Sequence, residues 1–236
     1  ESRQQRLPAF FLVPSDSIRV QSSVAATGGI HLGRMFQALA GLVGAAALAL
    51  QYYLLLDRLG GDALAATLRF FSYFTLLSNS FGTAALLLAA FAPASAMGQF
   101  FHKPAVRTAA ALYLIIVGVV YHIILASQWE PKGLQLVADI ILHSVIPAAM
   151  CIDWLSLTPK HGLRFSMIPP WLLMPLGFGA WALTLGAFTG FYPYSFIDAG
   201  ALGYGRVALN MGFLIGAFAL TGALLIIVGR IVPGPK

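Results

Sequence analysis

Charge is what this chain has least of. Only 9% of its 236 residues are Asp, Glu, Lys or Arg, against roughly 25% in a soluble domain, so a water-soluble globular protein is excluded. Cysteine is nearly absent as well. The single Cys151 lies in an apolar stretch, so no intrachain disulfide can form and the sequence carries no mark of redox compartment. Acidic residues number 8 against 14 lysines and arginines. The resulting net charge of +6 reads as basic loops on one side of a membrane, and no nucleic-acid partner is expected. There is no metal-ligand spacing such as HExxH, no cofactor is expected, and no repeat period stands out. A Sec-type signal peptide is not visible, because charges and prolines interrupt the apolar residues at the start. The first residue is Glu1 in place of Met, which leads us to expect a processed, incomplete or engineered beginning.

What the chain has in excess is apolar length. Hydrophobic residues make up 59% of it, and the mean hydropathy is +0.83. Six apolar runs, each near the ~20 residues that a spanning helix needs, fall at roughly 35–56, 66–91, 106–126, 135–157, 171–190 and 207–230. They predict an all-α polytopic membrane protein with six transmembrane helices over residues 35–230. A polar N-terminal arm of residues 1–34 would precede them and a tail of residues 231–236 would follow. An even number of spans puts both termini on one side. Ten lysines and arginines fall on that side (Arg3, Arg6, Arg19, Arg34, Lys103, Arg107, Lys160, Arg164, Arg230 and Lys236). Only Arg58, Arg69, Lys132 and Arg206 fall on the other. The bias predicts cytoplasmic termini, and a bacterial inner membrane is the expected location. Gly186-x3-Gly190 and Gly212-x3-Gly216 are expected to let spans five and six approach closely.

Ionisable residues inside such spans are costly and are functional candidates by default. Asp139 and His143 lie four apart in the fourth span, on one helix face, where the carboxylate can hold the imidazole in one tautomer. Pro147 lacks the N–H that would bond to the carbonyl of His143, so a kink and a freed backbone acceptor are expected beside the histidine. In the second span Thr75, Ser78 and Asn79 share a face, with Ser72 a turn earlier. A hydroxyl in a membrane helix usually bonds back to its own helix. Depth argues otherwise for Thr75: counted from the outer ends of their spans, Thr75 and His143 both lie roughly 12–14 Å down at ~1.5 Å per residue. A hydroxyl and a histidine at matching depth make a nucleophile–base pair, with Asp139 as the orienting group.

Other polar residues frame that pair. His122 is near the outer end of span three, where it meets interfacial water or faces the site. A metal site would need His122, His143 and Asp139 to converge, without any ligand spacing to favour it. In the loop FYPYSFIDAGALGYGR, Tyr192 and Tyr194 are headgroup-level aromatics or donors to an oxyanion. Arg69 or Arg206 would hold a lipid carboxylate. Trp129 and Trp154 read as interfacial belt residues, and Asp153 as a carboxylate that water reaches.

The segments RFFSYFTLLSNS, GVVYHIIL, ILHSVIPAAMCIDW and TGFYPYSFID followed by GYGRVALN together resemble one known group. It is the bacterial branch of the androgen-induced-gene-type membrane proteins, which includes the androgen-dependent regulator of tissue factor pathway inhibitor. The resemblance runs from about residue 35 to residue 230. It implies a multi-span hydrolase of fatty acid esters of hydroxy fatty acids, with its threonine nucleophile at Thr75 and its histidine at His143, followed by Pro147 and Asp153. Asp139 stands where the animal members carry an amide residue, and the spacing from His143 to Pro147 is one residue shorter than theirs. A lipid ester hydrolase acting on fatty-acyl esters of the membrane is therefore the expected function. The alternative is a non-enzymatic accessory subunit of a larger membrane complex, its N-terminal arm contacting partner subunits and Asp139–His143 a structural pair. A proton-coupled transporter is a third reading, with few intramembrane charges in its favour.

Overall fold

A computed structural model describes residues 15–232 and 234, with side chains from residue 31 onward. Among the described residues there is no strand, and six helices are long and apolar enough to cross a membrane. The protein is an all-α, multi-pass membrane protein. Its helices are α1 (Ser15–Arg58), α2 (Ala63–Phe70), α3 (Phe74–Phe91), α4 (Ala96–His102), α5 (Pro104–Val120), α6 (Leu134–Ile140), α7 (Ile146–Leu157), α8 (Ile168–Thr189), α9 (Ala199–Leu202) and α10 (Tyr204–Ile231). The helix α5 runs on through a π turn at Tyr121–Leu125, and α6 joins α7 through a second π turn at Ile141–Val145, each pair making one span.

Two differences from the sequence reading matter. Residues 1–14 of the expected arm lie outside the described residues, but Ser15 onward is the start of α1, because no proline interrupts the chain between Pro14 and Pro93. The tail falls partly outside too, at residues 233, 235 and 236. The second expected span is broken: α2 ends at Phe70, Tyr73 is extended (φ −106°, ψ 120°), and α3 starts afresh at Phe74.

The interior belongs to α3 and α5. In α3, 61% of the most apolar stretch is buried by the rest of the protein, against 22% in α1, α8 and α10, whose outer faces are left to lipid. The chain packs α1 on α3, α3 on α5, α5 on α7 and α10 on both α5 and α8. Phe74, Leu86, Leu112, Leu114, Ile146, Met150 and Phe218 fill the centre, and Tyr113 Oη donates to the Trp171 carbonyl at 2.8 Å to tie α5 to α8. The expected glycine pairs do not form the α8–α10 contact. Gly186 receives the Tyr192 ring, Gly190 caps α8 in a left-handed conformation (φ +72°), and Gly212 and Gly216 face open space. Close approach comes instead at Gly179, against Met211, and at Gly222, where a Cβ would meet Trp171 at 3.4 Å.

The end of the bundle at which α5 starts and α7 ends is closed by a buried polar cluster. Asp153 was expected to meet water, but it is 0% exposed. It is ion-paired to Arg107 and accepts from Gln37 Nε2 at 2.8 Å. Arg107 also donates to Thr158 Oγ1 at 3.1 Å. Trp154, expected in the belt, is buried with its Nε1 donating to Thr108 Oγ1 at 2.9 Å. Lys160 donates to the carbonyls of Leu155 and Thr158, and its removal from water lowers its pKa from the ordinary lysine value. One network therefore joins the middle of α1, the start of α5 and the end of α7. Breaking it leaves a buried charge without a partner. Asp153→Ala should lower stability by about 3–5 kcal/mol, read as thermal unfolding in detergent, while Arg107→Met combined with Asp153→Leu should recover most of that loss.

Candidate functional site

At the opposite end the broken second span decides the geometry. Thr67, Ser72, Thr108 and Thr189 each bond back to the carbonyl four residues earlier, at 2.6–2.7 Å. Thr75 does not. It lies in the first turn of α3, just after the break, and its hydroxyl makes its hydrogen bonds to other parts of the chain. The break thus frees both the side chain and the backbone N–H of Thr75.

The histidine is presented by the π turn. There the N–H of Ile146 reaches back five residues to Ile141, so the next donor in register for the Leu142 carbonyl would be residue 147. That residue is Pro147, which has no N–H. The carbonyl that finds a new partner beside the histidine is therefore Leu142's, where the sequence pointed to that of His143. Asn79 Nδ2 donates to it at 3.0 Å and to the Thr75 carbonyl at 2.8 Å. The His143 carbonyl packs against Gly118, where a Cβ would come within 3.4 Å of it. That is ordinary van der Waals contact, so α5 lies against the turn at a normal packing distance.

The two side chains meet. Thr75 Oγ1 lies 3.4 Å from His143 Nε2. His143 Nδ1 donates to the main-chain carbonyl of Asp139 at 3.0 Å. A carbonyl only accepts, so Nδ1 carries the proton and Nε2 turns its lone pair toward the threonine. The Asp139 carboxylate is close, with Oδ1 3.2 Å from Nδ1, yet the main chain takes the hydrogen bond and Oδ1 is without one. The other carboxylate oxygen accepts from Tyr121 Oη, and the Tyr121 ring stacks on the imidazole at 3.8 Å and 15°. Tyr194 closes the far side: its hydroxyl accepts from the Thr75 N–H at 3.3 Å and lies 3.5 Å from Thr75 Oγ1. Desolvation pushes the Tyr194 phenol up to about 12, so it keeps its proton and acts as a donor at neutral pH.

The remaining residues singled out in the sequence fall outside this group. Ser78 is fully buried with an unpartnered hydroxyl, and the Asn79 amide is spent on backbone carbonyls. His122 points outward, its Nε2 3.1 Å from Ser144 Oγ, so it does not join Asp139 and His143. No three metal-ligating side chains converge among the described residues. Tyr192 packs over Gly186, Arg69 lies 3.5 Å above the Phe191 ring, and Arg206 is exposed. None of these lines the cavity at Thr75. That cavity, about 330 Å³, is walled by Gln51, Arg58, Tyr73, Tyr121, Gln128, Trp129, Gln135, Asp139 and His143 besides Thr75 and Tyr194. The sequence reading passed over Gln51, Arg58, Tyr121, Gln128 and Gln135. The available signal was polar residues gathered at one end of spans one, three and four.

Compared with protein families, with curated proteins and with solved structures, the chain matches none. Asn79 is the direct tie between the Thr75 helix and the His143 turn, and its loss would orphan the Leu142 carbonyl. Asn79→Ala should cost about 1–3 kcal/mol of stability in detergent. It should also lower hydrogen–deuterium exchange protection, more at Leu142–Val145 than in α7.

Proposed function

We propose that the chain is an intramembrane hydrolase of carboxylic esters, acting on fatty-acyl lipids, with Thr75 as nucleophile and His143 as general base. The observation that carries this reading is the Thr75 hydroxyl, released from its own helix, 3.4 Å from the free Nε2 of a histidine whose Nδ1–H is already committed. The resemblance to the androgen-induced-gene-type hydrolases points to the same two residues.

In the first half-reaction His143 Nε2 takes the Thr75 proton, Thr75 Oγ1 bonds to the ester carbon, and the carbonyl electrons move to oxygen. Tyr194 Oη–H, which already accepts from the Thr75 amide, donates to that oxyanion. The positive end of α3 stabilises it further. As the tetrahedral species collapses, the carbon–alcohol bond breaks and Nε2–H protonates the departing alkoxide. Water, deprotonated by the same nitrogen, then cleaves the acyl-threonine, and His143 returns the proton to Thr75. The net reaction is ester plus water to acid plus alcohol. Asp139 Oδ1, held in place through Tyr121 on Oδ2, faces the imidazolium that forms. The excess of lysine and arginine in the sequence segments on the side of Lys103, Lys160 and Arg230 supports a cytoplasmic position for that end of the bundle, with the site opening on the outer side.

A fluorophosphonate probe should label the purified protein, and labelling should vanish in Thr75→Ala and in His143→Ala. An absence of labelling in well-folded protein favours the non-enzymatic subunit reading. Ester turnover should fall at least about a thousandfold in Thr75→Ala. Tyr194→Phe should lower kcat roughly 10²–10³-fold with little change in KM. Because Tyr194 holds its proton up to about 12, kcat of the native protein should show no decline centred on pH 10. A step at that pH, lost in Tyr194→Phe, would mean that the phenol is solvated and is no preorganised donor.

A further inference from the structure

The hydroxyl that serves the oxyanion is carried by the least regular part of the site. Thr75 and His143 are presented by helical turns, whereas Tyr194 lies in the connection between α8 and α9, where one 3₁₀ turn at Ser195–Ile197 interrupts irregular chain. Among the described residues no backbone–backbone hydrogen bond joins this connection to α3, α5, α6 or α7. It is fastened instead to its own side of the bundle. Asn210 Nδ2 of α10 donates to the Phe196 carbonyl at 2.8 Å, and Ile197 is buried with Ala182 of α8 and Val207 of α10. Those contacts do not set the distance from Tyr194 to Thr75.

Two side-chain contacts reach across to the part of the chain that holds the threonine and the histidine. On one side the Arg69 guanidinium, in the last turn of α2, lies 3.5 Å from the centroid of the Phe191 ring. Arg69 has no carboxylate partner among the described residues, so its charge is met by the ring face. On the other side Ser195 Oγ donates to Gln128 Oε1 at 2.8 Å. The Gln128 amide is itself held, its Nε2 donating to the Ile124 carbonyl at 2.7 Å. Its oxygen is therefore a fixed acceptor. Phe191 and Ser195 flank Tyr194 in the chain, so the phenol is suspended between the two contacts.

Resting on the hydrolase reading above, we propose that Arg69 and Gln128 are positioning residues for the oxyanion donor. Acting on Phe191 and Ser195, they clasp the connection from two sides and fix the Tyr194 hydroxyl beside Thr75. A donor lowers the barrier when it is already in place as the charge forms, and the gain falls steeply with displacement. An irregular segment without backbone ties to its target cannot supply that precision alone. The same connection walls the cavity at Thr75 through Pro193, Tyr194 and Ser195. The contacts that place the donor are thus the ones that close the cavity over the reacting atoms.

The test follows hydrolysis of p-nitrophenyl butyrate by the full chain in detergent. Gln128→Ala and Arg69→Met should each lower kcat about 10–100-fold with KM nearly unchanged. Arg69→Lys, which keeps a cation at the ring, should recover part of that loss. Gln128→Ala combined with Ser195→Ala should cost no more than either change alone, because both remove one contact. The deciding background is Tyr194→Phe: with no hydroxyl left to place, Gln128→Ala and Arg69→Met should have no further effect on kcat. Hydrogen–deuterium exchange reads the clasp without turnover, and Gln128→Ala should lower protection at residues 191–197 while leaving α3 unchanged. Losses that persist in full beside Tyr194→Phe mean that the two residues support the fold, and they overturn the inference. An unchanged kcat in both single variants overturns it too, as does protection lost across α3. In those cases esters are still cleaved and the hydrolase reading stands. If folded native protein cleaves no ester, that reading falls and takes this inference with it.

Discussion

The Asn79 amide spans the two helices on which the site depends. One N–H goes to the Thr75 carbonyl in its own helix and the other to the Leu142 carbonyl in the π turn. In a bilayer an unpaired backbone carbonyl costs several kcal/mol, so the vacancy left by Pro147 has to be filled by something. A side chain from α3 fills it, which sets the height of Thr75 against His143. A backbone defect in one helix has become the positional reference for the neighbouring one.

The two ends of the bundle treat buried polarity differently. Around Asp153 every charged group has an opposite charge, a hydroxyl or a carbonyl against it. Around His143 the pairing is incomplete: Asp139 Oδ1, Ser78 Oγ and Asn79 Oδ1 are without hydrogen bonds. The first arrangement rigidifies, and the second leaves capacity that reactants or water can use. Stability and chemistry are separated along the length of the same helices.

The sequence shows the helices more readily than their rotations. Six apolar runs give six spans, with limits within a few residues except where Tyr73 interrupts the second. That break left no clear trace, since RFFSYFT contains neither glycine nor proline. Depth along the chain was readable from residue counts and puts Thr75 and His143 level. The direction each faces was not, because helices apolar all round carry little periodicity. For the same reason the sequence could not tell the burial of Asp153 and Trp154 from an interfacial position. It also could not tell that His122 turns outward while Tyr121, its neighbour, turns in. The basic residue in the cavity, Arg58, lies at the end of α1 in a segment that reads as an ordinary loop junction.

The π turn at Ile141–Val145 also acts on the far end of its helix. A helix that takes in one extra residue per turn falls behind a regular one by about 100°. Everything from Ile146 onward is therefore out of phase with the half that carries Asp139. With the turn in place, His143 faces Thr75 while Asp153 faces Arg107. Straightened into a regular helix, the span would satisfy one of these contacts at the expense of the other. The turn is a phase offset between two working faces: a regular helix of the same residues would swing the anchoring face about 100° away from the catalytic one, whereas a helix shortened by one residue at the turn would keep both in place.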